Sequence, residues 1–447
     1  MEHFVQTLNG IIWSDGMVLL ILAAGIYLTF RTKFFQIRKF GHILSKTILS
    51  VFKSDKKKSQ KGMSQFQVLS TALAATMGTG NIAGVATALT LGGAGAVFWL
   101  WVSALLGMII TYSENVLGIY YRYKDKDKKW VGGPMVYIEK GLGAKWLGGV
   151  YAALLLAASF GIGNLTQANS MAASLEVTFG VKPLVTGVLT AIIVLLVVIG
   201  GASRVGKVTE KVIPIISLAY IFAAILIIVI NFRTIPTVFR EIFSGAFGFD
   251  AAVGGFSGAI VRQAVTVGLR RGVFSNEAGL GSSAVVHAQA EDKEPVLQGM
   301  WAVFEVFVDT IICCTLTALA VLCSGVLDCK GESLDGAALV ISAFSSGFGE
   351  FAGGFVSVSI VLFAFATLLG WSVYGSKAAE YLFGNKAAKF YKIAFVGAII
   401  VGSVTKLEVV WGISDVLNGL MVVPNLVAVL LLSKKVVEIT ERYEKQL

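Results

Sequence analysis

Charge is scarce in this chain. Of its 447 residues only 14% are Asp, Glu, Lys or Arg, where soluble domains carry about 25%. Proline occurs six times, cysteine four times and histidine three times. So little charge cannot cover a soluble protein of this length, and it excludes soluble enzymes and disordered scaffolds. Cys313, Cys314, Cys323 and Cys329 lie close together, the first two adjacent in an apolar run. They show neither zinc spacing nor a disulfide framework, so a packing role is expected. The first 16 residues hold Glu2 and Asp15 but no Lys or Arg, which argues against a cleavable signal peptide.

What is abundant is apolar. Hydrophobic residues make up 56%, with 29 Phe and 50 Gly, and the mean hydropathy is +0.78. Several runs approach or exceed the roughly 20 residues that a spanning helix needs. An all-α integral membrane protein of about eleven spans follows, at about 16–30, 64–91, 94–121, 147–178, 184–201, 209–231, 251–290, 295–323, 351–384, 390–405 and 409–432. The net charge of +10 does not point to nucleic acid, because its placement follows the membrane. With the amino terminus outside, 29 of the 37 Lys and Arg fall on cytoplasmic segments and five on outer loops. That asymmetry predicts a multi-pass plasma-membrane protein with a cytoplasmic carboxyl terminus. The basic stretch 31–62 interleaves Phe34, Phe35, Ile37, Phe40, Ile43, Leu44, Ile48, Leu49, Val51 and Phe52 with its cations. It reads as an interfacial helix on anionic lipid.

Two spans break the rules for a lipid-facing helix. The second carries Ala74-Ala75-Thr76-Met77-Gly78-Thr79-Gly80-Asn81, and the seventh carries Leu269-Arg270-Arg271-Gly272-Val273-Phe274-Ser275-Asn276-Glu277-Ala278-Gly279-Leu280-Gly281. Backbone without helical hydrogen bonds is tolerated at that depth only inside protein or along a cavity, and intramembrane charge is usually functional. Small-residue helix packing is the plainer alternative. It accounts for Gly92-Gly93-Ala94-Gly95 but poorly for Asn81 or the charged segment. Setting the first span aside, the rest divides into two groups of five, 64–231 and 251–432, each opening on a broken helix. Residues 1–63 precede them and 433–447 form a cytoplasmic tail. Five spans is an odd number, so the second group enters the membrane inverted, and paired broken helices are the best sequence pointer to a transport site.

Helix polarity suggests the ligand. The second half of the first broken helix begins near Gly80-Asn81 with free N–H groups that attract a carboxylate. The first half of the other ends near Arg271 with free carbonyls suited to an ammonium group or a cation. A zwitterionic amino acid fits both, although Arg270 or Arg271 could instead make the site select anions.

The motifs resemble the alanine or glycine:cation symporter family, also called the sodium:alanine symporters. Gly92-Gly93-Ala94-Gly95-Ala96-Val97-Phe98-Trp99-Leu100-Trp101 with Ser103 to Gly107 is similar to the family signature, with Leu100 where Met is usual. Gly132-Gly133-Pro134-Met135 with Tyr137, and Phe274 to Gly281 with His287, are similarly characteristic, and the resemblance runs from about Gly62 to Pro424. It implies a LeuT-like 5+5 inverted repeat plus one extra amino-terminal span, with no enzymatic activity and no cofactor. By that resemblance Gly78, Thr79, Gly80 and Asn81 would take a substrate carboxylate. Ala74, Met77, Phe363, Ala366 and Thr367 would hold Na⁺, for which hard oxygen ligands are suited. Gly272, Phe274 and Trp371 would wall a small pocket, unless the rings merely pack. Asn164 and Gln167 lie one turn apart, so one of them could reach it, or they could bond neighbouring helices.

The expected function is sodium-coupled uptake of small neutral amino acids, alanine or glycine, by alternating access. Its partners would be the amino acid, Na⁺ and membrane lipid, with no nucleic acid. Proton coupling through Glu277 and Asp309 is the alternative. A channel or a membrane-embedded enzyme is disfavoured, the latter because no Cys–His, Ser–His–Asp or metal constellation lies at membrane depth. Pairing of Glu305 or Asp309 with Arg270 or Arg271 would neutralise buried charge; Glu114 and Asp415 are further buried acids. With His3 outside and His42 and His287 at cytoplasmic ends, no histidine is expected to relay protons.

Overall fold

The structure, a computed structural model, describes residues 2–51, 63–126, 130–248, 257–328 and 334–447. Phe52 and the lysines from 53 to 61, Lys128 and Lys129, Cys329, Lys330, and the start of the seventh span at 251–256 lie outside the described residues.

Helices α1 (Glu2–Ile12) and α2 (Asp15–Arg31) meet at a 41° bend. Three short helices follow, α3 (Phe35–Arg38), α4 (Phe40–Lys46) and α5 (Ile48–Val51). Then α6 (Gln65–Thr76) is bent by 55° against α7 (Ala83–Gly92) across a single 3₁₀ turn, Thr79–Asn81. Next come α8 (Gly95–Tyr121), the short α9 (Pro134–Leu142), and α10 (Lys145–Phe160), which passes through a π-turn at Gly161–Leu165 into α11 (Thr166–Phe179). Helices α12 (Pro183–Val198) and α13 (Gly201–Ile230) complete this group, and α14 (Ile235–Phe247) leads to the next. There α15 (Ser257–Asn276) is separated by a break from the one-turn α16 (Ser283–His287). Helix α17 (Pro295–Val306) runs through a π-segment, Phe307–Cys314, into α18 (Thr315–Ser324). The rest are α19 (Gly336–Phe348), α20 (Glu350–Phe383), α21 (Asn385–Val404), α22 (Leu407–Leu431) and α23 (Ser433–Glu444). A two-residue hairpin pairs Tyr123–Lys124 with Trp130–Val131.

Local chemistry explains the starts of these helices. Ser64 and Gln67 form a reciprocal capping box at the start of α6, satisfying two backbone donors that the first turn leaves free. Pro134, Pro183 and Pro295 stand at helix starts, where a missing N–H costs nothing. Among the described residues seven helices are long and apolar enough to span, and the two bent pairs add two more. Helix α12 is apolar but has 16 residues, and α15 carries Arg262, Arg270 and Arg271. Each of the eleven expected regions is therefore helical over most of its described residues. Leu184, Leu189, Ile192, Ile193 and Leu196 of α12 are exposed on one flank, an apolar band that lipid would cover.

Three expectations need correction. The seventh span does not break near Arg271: α15 stays helical through Asn276, and the break runs from Glu277, in the left-handed region at φ 58°, to Ser282. The basic stretch is not one interfacial helix in its described part. Phe35 and Ile43 are fully buried, Lys33 pairs with Glu441 at 2.9 Å and Arg38 with Glu444 at 2.7 Å. The segment is thus strapped to α23, with Phe34, Ile37 and Leu49 left exposed. Thirdly, the connections between spans hold two further helices, α14 and the short apolar α19.

Candidate functional site

In the interior, the last turn of α15, just ahead of the second break, packs against the first break. At the first, α6 ends at Thr76, and Met77 to Asn81 are all buried. A side chain closes the turn: Asn81 Oδ1 accepts the Gly78 N–H at 3.0 Å. Two neighbours grip the turn from opposite elements. Thr367 of α20 donates its hydroxyl to the Ala74 carbonyl at 2.8 Å, and Gln167 of α11 accepts the Thr79 N–H through Oε1 at 3.2 Å. Gly78 lies between them. A methyl group built on it would stand 2.5 Å from Thr367 Oγ1 and 3.1 Å from Gln167 Oε1. The Thr79 hydroxyl is fully buried and finds no partner among the described residues. A buried polar atom without a partner is costly, so this hydroxyl suits a polar ligand.

Gln167 is held by its own amide, which donates to Ile162 O at 2.9 Å. That carbonyl belongs to the π-turn, a local unwinding that commonly marks functional sites. The same turn places Gly163 against Trp371: a methyl there would lie 2.3 Å from the Trp371 side chain. Trp371 is fully buried and donates its indole N–H to Glu277 Oε1 at 2.8 Å. Ser282 donates to the other oxygen of Glu277, so this carboxylate staples the second break to α20.

Above the first break, the Phe274 ring lies over Gly80, 3.1 Å from where a methyl would be. Phe274 stacks on Trp411 of α22 with centroids 4.7 Å apart and planes at 18°. Arg271 sits 4.7 Å from the Trp411 centroid and bonds Asp415 at 3.0 Å, with Arg270 at 3.7 Å from the same carboxylate. On the far side, Asn81 Nδ2 donates to Asp309 Oδ1 at 2.7 Å, while Ser275 and Thr310 donate to Oδ2 at 2.8 and 2.7 Å.

The expected residues therefore divide. Gly78, Thr79, Gly80, Asn81, Gln167, Phe274 and Trp371 surround the breaks, as do Ala74, Met77 and Thr367. Ala366 is buried on α20, whereas the Phe363 side chain turns to Tyr220, edge to face at 5.9 Å. Gly272 is helical and packs on Ser103 of α8, where a methyl would lie 2.4 Å from the hydroxyl. Asn164 donates to Phe395 O of α21 at 2.6 Å, which is the helix-bonding alternative. The buried ion pairs also differ from expectation. Arg271 takes Asp415, Asp309 takes neutral donors, and Glu305 lies 3.3 Å from His287 Nε2. His287 is fully buried. Glu114 accepts from Asn425 at 2.6 Å, and Asn425 also donates to Gly279 O at 2.8 Å. Cys313, Cys314 and Cys323 are buried and unpaired with one another.

Two broken helices meeting at a buried polar junction is the architecture of a secondary transporter. The solved structure of MhsT in complex with L-phenylalanine, a LeuT-fold protein, shares this fold, with a TM-score of 0.57 at 15% identity over 81% of this chain and 89% of that one. The sodium/alanine symporter AgcS of Methanococcus maripaludis is 43% identical over 99% of this chain and 97% of its own length. A transporter of Bacillus subtilis, YflA, is 42% identical over 97% of this chain and 91% of its own. The profile of the sodium:alanine symporter family matches residues 1–447. A multi-pass amino acid transporter with no enzymatic chemistry is what these likenesses and the paired breaks jointly describe, and the chain belongs to the sodium:alanine symporter family.

Proposed function

We propose that this chain couples inward Na⁺ movement to uptake of a small neutral amino acid, alanine or glycine, across the plasma membrane by alternating access. The amino terminus is outside and the carboxyl terminus cytoplasmic, and segments 64–231 and 251–432 act as inverted repeats. The observation that carries the reading is Gly78 held between Thr367 and Gln167. Carbonyls of Ala74, Met77, Phe363 and Ala366 with the Thr367 hydroxyl make an oxygen site for Na⁺, while Thr79, Gly80 and Asn81 offer polar groups to a carboxylate and Phe274 and Trp371 limit the side chain. One turn of backbone serves both ligands, so occupancy by one orders the site for the other, a reciprocal coupling. One charge crossing 100 mV supplies about 2.3 kcal/mol, enough for roughly fiftyfold accumulation at about 1.4 kcal/mol per tenfold.

Labelled alanine uptake into proteoliposomes, under a Na⁺ or a proton gradient at matched potential, tests this reading. Uptake under Na⁺ alone is expected. Uptake under protons alone would favour the second reading, for which the neutral partners of Asp309 are the motivating observation. Thr367→Ala removes the hydroxyl bonded to Ala74 O and is expected to raise the Na⁺ concentration for half-maximal uptake by about tenfold, the equivalent of about 1.4 kcal/mol. An unchanged Na⁺ dependence removes Thr367 from the site.

A further inference from the structure

Below the breaks, three helix segments are tied by one chain of side chains that the transport site does not use. His287 closes α16, Glu305 and Gln298 lie on α17, and Gln65 opens α6. All but Gln65 are fully buried. His287 Nδ1 lies 2.9 Å from Gln298 Oε1 and Nε2 lies 3.3 Å from Glu305 Oε2. Gln298 and Gln65 exchange amides, with Gln298 Nε2 donating to Gln65 Oε1 at 2.6 Å and Gln65 Nε2 donating back at 3.2 Å. This chain joins the second half of one broken helix to the first half of the other.

Hydrogen-bond logic then counts protons. With its nitrogen committed to Gln65, Gln298 presents its amide oxygen to His287, so Nδ1 must carry hydrogen. A neutral imidazole protonated at Nδ1 has its lone pair at Nε2. That lone pair would face a carboxylate oxygen inside the protein, two acceptors without a donor. A bond at this position needs one more proton, on Nε2 or on Oε2. Without it a buried negative charge is left facing a lone pair, which is expensive.

We propose that His287 and Glu305 form a proton-binding site whose occupancy holds the cytoplasmic halves of the two broken helices together. Loss of that proton to cytoplasmic water leaves facing lone pairs, separates α16 from α17, and opens the inner path. The inference rests on the alternating-access reading and its orientation. Other titratable groups around the pair are Glu114 and Tyr112 on α8, Tyr374 on α20, Glu277 in the break and Asp309 in the π-segment. None of these supplies a cation. Helix α6 contributes no titratable side chain. Helices α4 and α23 bring His42, with Lys39 and Lys46, and Tyr443, with Glu444 and Arg442, to the protein's rim. Burial first, and Lys46 and Lys39 next, lower the pKa of His42.

The test is Na⁺-driven alanine uptake at fixed external pH with the internal pH stepped from acid to alkaline. Wild type is expected to speed up as internal pH rises through the pair's titration, by up to about tenfold per pH unit for one proton. Glu305→Gln supplies an amide N–H to Nε2 in place of the proton, so it is expected to be slow and independent of internal pH. Its alanine binding should remain intact, which shows that it is folded. A Glu305→Gln profile that follows wild type, or a flat wild-type profile, overturns the proposal. Infrared titration of the carboxyl band lost in Glu305→Gln reads the proton without transport. If no uptake occurs under any gradient, the transport reading fails, and that titration still decides whether the pair holds a proton.

Discussion

Na⁺-driven uptake falls by about 100-fold or more in Gly78→Ala, the equivalent of about 2.7 kcal/mol, while the protein reaches the membrane in normal amount. Backbone strain is not the cause, because Gly78 sits at φ −123°. The cause is contact. The new methyl would stand 2.5 Å from Thr367 Oγ1, 3.1 Å from Gln167 Oε1 and 3.3 Å from Thr367 Cβ. Neither neighbour is free to yield: Thr367 is bonded to Ala74 O, and Gln167 to Ile162 O and the Thr79 N–H. Relief therefore breaks the proposed Na⁺ ligand set or the proposed substrate cradle, and both ligands weaken together. Gly149→Ala is the matched control, since a methyl there meets nothing within 4 Å. Gly80→Leu acts on the other flank by driving Phe274 off its place, and should likewise abolish binding of alanine with the chain still inserted. Uptake within about twofold of wild type in Gly78→Ala, a difference of about 0.4 kcal/mol, would dispose of the shared-turn argument.

The spans and the first break were legible because lipid makes the test simple: glycine, asparagine and charge stand out against apolar helix; the second break was seen in the right span but placed too early in it. What was not legible depends on register and on distant partners. Asn164 and Gln167 are three apart, which on an α-helix means one face. Here the π-turn Gly161–Leu165 intervenes, and the two point to α21 and to the first break respectively. The run Gly161-Ile162-Gly163 was its only trace in the sequence. Gly272 was expected to line the pocket with the rest of the broken segment, yet α15 stays helical there and needs the glycine to approach Ser103. The pairing of Arg271 with Asp415 spans 144 positions, and nothing in either helix names the other. His287 was discounted because it stands at the end of its span, and nothing in its own segment shows that α16 is a single turn buried between α6 and α8.

Arg271 and Asp415 offer the second large effect, and the pattern of variants separates gating from stability. The pair ties α15 to α22 above Phe274 and Trp411, on the side that faces outward in the proposed orientation. Asp415→Leu leaves both arginines without their carboxylate, and Arg271→Met leaves Asp415 with only the longer 3.7 Å contact to Arg270; breaking a buried pair in this way costs up to about 3–5 kcal/mol. Arg271→Met and Asp415→Leu are thus each expected to lower thermal stability sharply. The double variant removes the closest pair but leaves Arg270, 3.7 Å from the lost carboxylate, so it is expected to recover part of that stability, since apolar residues can replace a buried pair at little cost. Uptake should not recover with it. When water enters from outside, separated ions regain their hydration, whereas exposed Met and Leu gain nothing and resist opening. The double variant is therefore expected to be partly restored in stability but closed on the outer side, with slow alanine entry from outside. Melting curves and initial uptake rates on the four proteins measure this directly. Should uptake in the double variant return along with its stability, the pair is a structural brace and the outer closure must lie in the Phe274–Trp411 stack alone.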